Sequence, residues 1–301
     1  MKRVPLLFIV LFFIAIQSGC SMKKMATSVV GKVAIDGMVA IESEEDLSLA
    51  RESGPALIKT FEVLSYGNPN DARALTLLAQ AYGQYAFGFF EDDILASQNS
   101  EKELLKARYQ ADLFYRRGKD FGIRALSTKN GMKKVFNSAF PDFKKAVSRL
   151  GKKDVPTLFW TAFNWANYLN LHLDDPATIA ELPRIEALID RIIELDDKFY
   201  FGSAHAFKGV IIATKPKMLG GNPTAAESEF KRAMDIAPNY LMTKVLFAQY
   251  FAKQTQNQAL FKNTLTEVID STTESKPSEI LANKLAKRRA RLLLDLQKKL
   301  F

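Results

Sequence analysis

The stretch that decides the fold is residues 57–69, LIKTFEVLSYGNP. Leu57, Phe61 and Leu64 fall at steps of four and three, which places them on one face of a helix, and Pro69 follows five residues later as a stop. The same steps return three times, as Ile185, Ile189, Ile192 and Asp197, as Ala226, Phe230, Ala233 and Pro238, and as Phe261, Leu265, Val268 and Thr273. Between these segments apolar residues recur at three- and four-residue spacing almost to the C-terminus, and no segment shows sustained period-two alternation. The pattern predicts an all-α chain.

These steps are those of the second helix of a tetratricopeptide (TPR) repeat and its terminator. The first helix of such a unit places apolar or small residues at set offsets after the stop, and Pro69 is followed by Leu75, Leu78, Ala79 and Tyr82, which match. The offsets after Asp197, Pro238 and Thr273 match in part. Repeat starts at 185, 226 and 261 differ by 41 and 35 residues, against ~34 for the repeat. The excess falls on TKPKMLGGNP, residues 214–223. Long helices interrupt the register: one from about Asp71 to Ala96, one from Ser100, where Ser100 and Glu103 form a capping box, towards Leu126, and one after Pro156. The expected architecture is a TPR-like α-α superhelix with long inserted helices and a concave surface.

The glycine pair in TKPKMLGGNP looks at first like a phosphate loop, but the order is wrong. A P-loop needs Lys and Ser or Thr after its glycines, and here Lys215 and Lys217 precede Gly220 and Gly221. Thr224 and Glu227 form a Thr-x-x-Glu box that satisfies the next helix start internally. The stretch reads as a long corner that carries Lys215, Lys217 and Met218 at an edge of the array, where they are candidates for a partner contact.

Composition is that of a folding chain: 48% hydrophobic, 25% charged, with one cysteine in 301 residues. Lys2 and Arg3 precede an apolar run from Val4 to Ile16, which is shorter than the roughly 20 residues of a spanning helix. QSGC follows, ending at Cys20. The segment resembles a bacterial lipoprotein signal, which implies cleavage after residue 19 and lipidation of Cys20. The expected organisation is a signal peptide over 1–19, a lipidated tether and lead-in segment over 20–42, and a single helical domain over 43–301. Ser21 is unlike the Asp of inner-membrane retention, so the expected location is the periplasmic face of the outer membrane. Formal charge is +9, and losing Lys2 and Arg3 lowers it to +7. Export argues against nucleic acid as the partner.

Chemistry-bearing clusters are scarce. Two histidines and one acylated cysteine give no metal set. The acidic pairs Glu44-Glu45, Asp92-Asp93, Asp174-Asp175 and Asp196-Asp197 stand mostly at predicted helix ends, as caps or turn residues. No nucleophile with an adjacent base is visible, so no enzyme and no cofactor is expected. Two aromatic stretches are the candidates for a ligand groove. In AYGQYAFGFFEDD, Tyr82, Tyr85 and Phe89 share a face. In LFWTAFNWANYLNLHL, Trp160 and Trp165 alternate with Asn164 and Asn167, which must be hydrogen-bonded if buried or else face a wet cavity. His205, among Phe201, Ala204 and Phe207, is either a packed helix residue or a groove lining. At the C-terminus Lys284, Lys287, Arg288, Arg289 and Arg291 oppose Leu285, Leu292 and Leu296. That cationic face is either solvated or a docking surface for an acidic partner, with Arg288 and Arg291 as candidate contacts.

From about Leu158 to Leu296, the runs FWTAFNWANYL, GSAHAFKGVIIATKPKMLGGNPTAAESEFKRAMDI, KVLFAQYFAKQTQNQALFKNTL and LANKLAKRRARLLL resemble the TRAP transporter T-component family. KPKMLGGNP and LANKLAKRRA carry most of the likeness, which covers roughly half of the chain. The resemblance implies an exported helical lipoprotein with TPR-like repeats. It also implies a partner, the periplasmic solute-binding protein of a tripartite ATP-independent transporter, for which this chain would hold or pass an apolar or organic-acid ligand. Homo-oligomerisation stays open. The alternative is a TPR scaffold lipoprotein for outer-membrane or envelope assembly.

Overall fold

The computed structural model describes residues 33, 36–129, 131–215, 220–272 and 275–301. Cys20, Lys217 and Met218 lie outside the described residues, as do the segment read as a signal peptide and most of the tether. Among the described residues the secondary structure is helical throughout, with no strand. None of the described helices is long and apolar enough to cross a membrane.

Helix α1 (Met38–Glu42) and α2 (Leu47–Ser65) open the described chain, α2 being capped by Asp46, whose carboxylate accepts from the Ser48 and Leu49 amides. The long helix expected from Asp71 is present as three contiguous pieces. α3 (Ala72–Tyr85) leads into a π turn, π1 (Ala86–Phe90), and then α4 (Glu91–Ala96). Asp71 caps its start. Helix α5 (Glu101–Ser127) begins at Ser100 as the sequence predicts, its Oγ accepting from the Glu103 amide at 3.5 Å. After α6 (Phe140–Val147), α7 (Val155–Leu171) carries the Trp- and Asn-rich stretch, and helices α3, α5 and α7 pack together at the centre of the molecule.

Asn164 is the wedge of that packing. It is fully buried on α7, and its amide donates to the Ala79 carbonyl of α3 at 2.9 Å and to the Trp160 carbonyl at 2.7 Å. Gly118 of α5 lets it in: a Cβ there would meet Asn164 Oδ1 at 2.1 Å. The three helices therefore approach through a small residue on one side and a short polar side chain on the other.

The remaining helices are α8 (Pro176–Ile179), α9 (Leu182–Asp196), α10 (Phe199–Thr214), α11 (Pro223–Ile236) and α12 (Met242–Leu246). A second π turn follows, π2 (Phe247–Ala252), and then α13 (Gln258–Asp270), α14 (Ile280–Asp295) and α15 (Gln297–Leu300). Three of the four predicted steps are core stripes. Ile185, Ile189 and Ile192 on α9, Ala226, Phe230 and Ala233 on α11, and Phe261, Leu265 and Val268 on α13 are all at most 3% exposed. The founding stretch differs. On α2 the buried apolar residue is Ile58, Leu64 is 40% exposed, and Leu57 and Phe61 are half-buried.

Two local expectations are corrected. The start of α11 is capped by Asn222, whose Oδ1 accepts from the Ala225 amide at 3.1 Å, and Pro223 is the first helical residue. Proline suits that first position because the amide it lacks has no intrahelical partner there, so the cap falls on the residue before it and not on Thr224. Arg289, read as part of a solvated face, is 1% exposed on α14.

Candidate functional site

An apolar cavity of about 130 Å³ lies where segments far apart in sequence converge. Met38, Ile41 and Glu42 of α1 and Gly54, Leu57 and Phe61 of α2 form one side. Gln84, Tyr85, Phe87 and Phe89 come from α3 and π1, and Trp160 and Phe163 from α7. Tyr200, Tyr240, Met242, Thr243 and Leu246 close a third side, and Leu281, Ala282 and Leu285 of α14 a fourth. Leu57 and Phe61 are half-buried because they face this space instead of the core.

Two backbone irregularities shape the walls. Pro55, inside α2, has no amide to give to the Arg51 carbonyl four residues earlier. The Tyr85 hydroxyl donates to that carbonyl instead, at 2.8 Å, and the ring passes over Gly54, where a Cβ would meet it at 2.6 Å. The second irregularity is at the start of α10. Tyr200, Phe201 and Gly202 have φ of 45°, 62° and 68°, so three successive residues are left-handed. For the two that are not glycine this costs on the order of 1–3 kcal/mol each. Packing holds them there: the Tyr200 ring lies 4.8 Å from Trp160 and 5.4 Å from Phe159, and Phe201 stacks on Tyr240 at 4.3 Å.

The polar groups of the lining are few. Gln84 Nε2 donates to the Tyr200 hydroxyl at 2.8 Å. Burial pushes the Tyr200 phenol up to about 12 despite that donor, and pushes Tyr240 well above the usual phenol value. Thr243 is 1% exposed, and its hydroxyl has no partner among the described residues. Burial also raises the Glu42 carboxyl above its ordinary value, with no described group acting to lower it. Among the described residues no Lys, Arg or His lines the cavity.

Of the eight groove candidates, Tyr85, Phe89 and Trp160 line this cavity. The other five lie outside its lining. Tyr82 packs edge-on to Phe114 at 5.1 Å and donates to Glu62 at 2.6 Å. Asn164 is the interhelical wedge, and the Asn167 amide donates to the Phe163 carbonyl of its own helix at 2.9 Å. Trp165 faces Phe136 and Phe143 on the far side of α7, with its indole N–H given to Glu181 at 2.5 Å. His205 Nδ1 lies 2.6 Å from Glu229 of α11, whose Oε1 is 3.6 Å from Lys208. Burial works against the Glu229 charge, but the His205 and Lys208 contacts outweigh it and hold that carboxyl below its ordinary value.

The candidate contact residues divide similarly. Lys215 pairs with Glu186, and Arg291 is exposed on α14. Arg288 is engaged inside the molecule. Its Nε donates to Asp92 Oδ2 at 2.7 Å and one terminal nitrogen donates to the Gly88 carbonyl at 2.6 Å. Arg289 beside it donates from Nε to Asp92 Oδ1 at 2.6 Å and from a terminal nitrogen to the Phe87 carbonyl, its guanidinium lying 4.3 Å from the Phe87 ring centre. Burial disfavours the Arg289 charge, but Asp92 and Glu91 more than compensate and raise its pKa. The carbonyls it and Arg288 reach belong to π1, where the wider turn departs from the α-helical ladder. Asp92, expected as a helix-end acid, is therefore buried as the shared acceptor of two arginines. Among the described residues no group of three or more His, Cys, Asp or Glu is placed to hold a metal.

Sequence reasoning missed Glu42, Gln84, Tyr200, Tyr240 and Thr243. Of these, Tyr200 had a local signal, since Phe199, Tyr200 and Phe201 precede Gly202 as a solid aromatic run at a helix start.

A family model described as TRAP transporter T-component matches residues 43–301. An uncharacterized protein of Treponema pallidum (strain Nichols) is 23% identical over 297 residues, covering 92% of this chain and 91% of that protein.

Proposed function

Because this chain belongs to the TRAP transporter T-component family, we propose that it acts as a non-catalytic, lipid-anchored periplasmic component that docks the solute-binding protein of its transporter and holds an apolar or organic-acid ligand. In this reading Cys20 carries the acyl chains, anchoring residues 43–301 on the periplasmic side of the outer membrane, and α2–α3, α9–α10, α11–α12 and α13–α14 act as TPR-like pairs. The observation that carries the ligand-holding part is the cavity: an apolar pocket with a few convergent polar groups is the usual form of a small-molecule site. Its walls come from both ends of the chain, so a ligand there senses the arrangement of the whole array. The exposed cation Arg291, with Lys217 in the corner, supplies the docking contacts.

The test uses the full chain, extracted in detergent, and the purified solute-binding protein of its transporter. Micromolar or tighter binding in calorimetry is expected, weakened at least tenfold by Lys217→Glu with Arg291→Glu. Mass spectrometry of the denatured protein is expected to find a released small molecule. No complex and no released molecule, with co-purification of envelope-assembly proteins instead, would replace this reading with the scaffold one.

A further inference from the structure

The cavity has a chemical sign. Its walls are rings and aliphatic chains, and no cation among the described residues lines it. One carboxyl, Glu42, stands in that lining, half-buried, with no hydrogen bond or ion pair from any described residue. The other titratable groups around the space are the phenols of Tyr85, Tyr200 and Tyr240, and the Glu42 charge is felt at the last two. Behind the wall Arg289 and Arg288 lie over the Phe87 and Phe89 rings and Arg51 over Phe89, with Arg289 felt at Tyr240 and Arg51 at Tyr85, but their charges are already met by Asp92 and Asp93. A carboxylate ligand would find no counter-ion among the described lining residues and a like charge at Glu42, which is costly in a poorly solvated space. A neutral ligand would add no charge partner for Glu42, which has none among the described residues. A cation would pair with it, and the faces of electron-rich rings favour positive charge in the same place. The volume sets the body. About 130 Å³ is close to the ~150 Å³ apolar cavity that accepts benzene, so it suits a ring or chain of about six carbons. The unpartnered hydroxyl of buried Thr243 offers one further hydrogen bond.

We propose that this cavity takes a small amphiphilic cation, with an apolar body of about six carbons inside and an ammonium head against Glu42. The proposal rests on the reading of the cavity as a ligand site and narrows it, removing organic acids from the candidates. Burial raises the Glu42 carboxyl on its own, and a bound cation supplies the charge that nothing described in the wall provides.

Calorimetric titration of the full chain at pH 8 with hexyltrimethylammonium, 1-hexanol and hexanoate tests it. The ammonium is expected to bind at least roughly tenfold more tightly than the alcohol, and hexanoate most weakly. In Glu42→Gln, checked for an unchanged melting curve, the ratio of ammonium to alcohol affinity is expected to fall towards one. The wild-type comparison stands even if the variant does not fold. Hexanol matching the ammonium, hexanoate binding best, or a ratio that survives in Glu42→Gln would overturn the cationic assignment and leave the cavity as a ligand site. Binding by none of the three would overturn both.

Discussion

Arg289 shows how a charged residue can belong to a core. It lies four residues from Leu285 and four from Leu293, on the same stripe of α14 as Ala286 and Ala290, all of them buried. Its charge is met by Asp92, the Phe87 carbonyl accepts from one terminal nitrogen, and Glu91 lies 3.8 Å from the other, near enough for charge attraction but not for a hydrogen bond. Removing one member of such a group strands the others, which costs about 3–5 kcal/mol. Arg289→Met is expected to lose that much in urea unfolding, while Arg291→Met, on the exposed side, is expected to stay within about 0.5 kcal/mol. The inward position was legible in the sequence from the i±4 leucines, but the cluster KRRAR reads as a solvated face when charge is weighed before phase. Glu42 and Thr243 were not legible in this way. Nothing in their neighbourhoods distinguishes them until residues more than a hundred positions apart are brought together.

Helices were the most legible level, because caps and apolar phase are local. Asp71 and Ser100 begin α3 and α5 where the pattern put them, and the four-three steps mark buried stripes on α9, α11 and α13. On α2 the same steps turn Leu57 and Phe61 towards the cavity and leave Leu64 exposed, since spacing specifies a face but not what that face meets. The start of α11 is a sharper case, as two capping schemes compete within three residues and proline decides between them. Asn222→Ala is expected to destabilise by about 1 kcal/mol in chemical denaturation, and Thr224→Ala by less than about 0.5 kcal/mol. Equal losses from the two would restore Thr224 as the cap. The π turns were not read from the apolar spacing, because the aromatic run at π1 is apolar nearly all round and gives no phase to follow. At π1 the context is tertiary: it opens where two guanidinium groups arrive from α14.

For the molecule as a whole, the cavity is a product of assembly, with walls from α1, α2, α3, π1, α7, α12 and α14 and from the Tyr200 turn. Filling it should therefore change occupancy without harming the fold. Ala282→Phe places a ring into that space from α14 and is expected to raise stability by about 0.5–2 kcal/mol. It is also expected to abolish the shift in melting temperature that hexyltrimethylammonium gives the parent protein. A lower melting point would mean that the space is too small or too rigid for the ring, and a retained ligand shift would move the site elsewhere. The Arg289 to Asp92 bond spans 197 residues, and Lys284 reaches Glu45 across 239. A linear array can fray from either end, whereas here the last long helix is fastened to the first third of the chain. A polypeptide made N-terminus first presents Asp92 and the π1 carbonyls long before their partners exist. Completion of the fold is thus timed by the arrival of α14, and until then the early helices are a substrate for whatever shields unfinished chains.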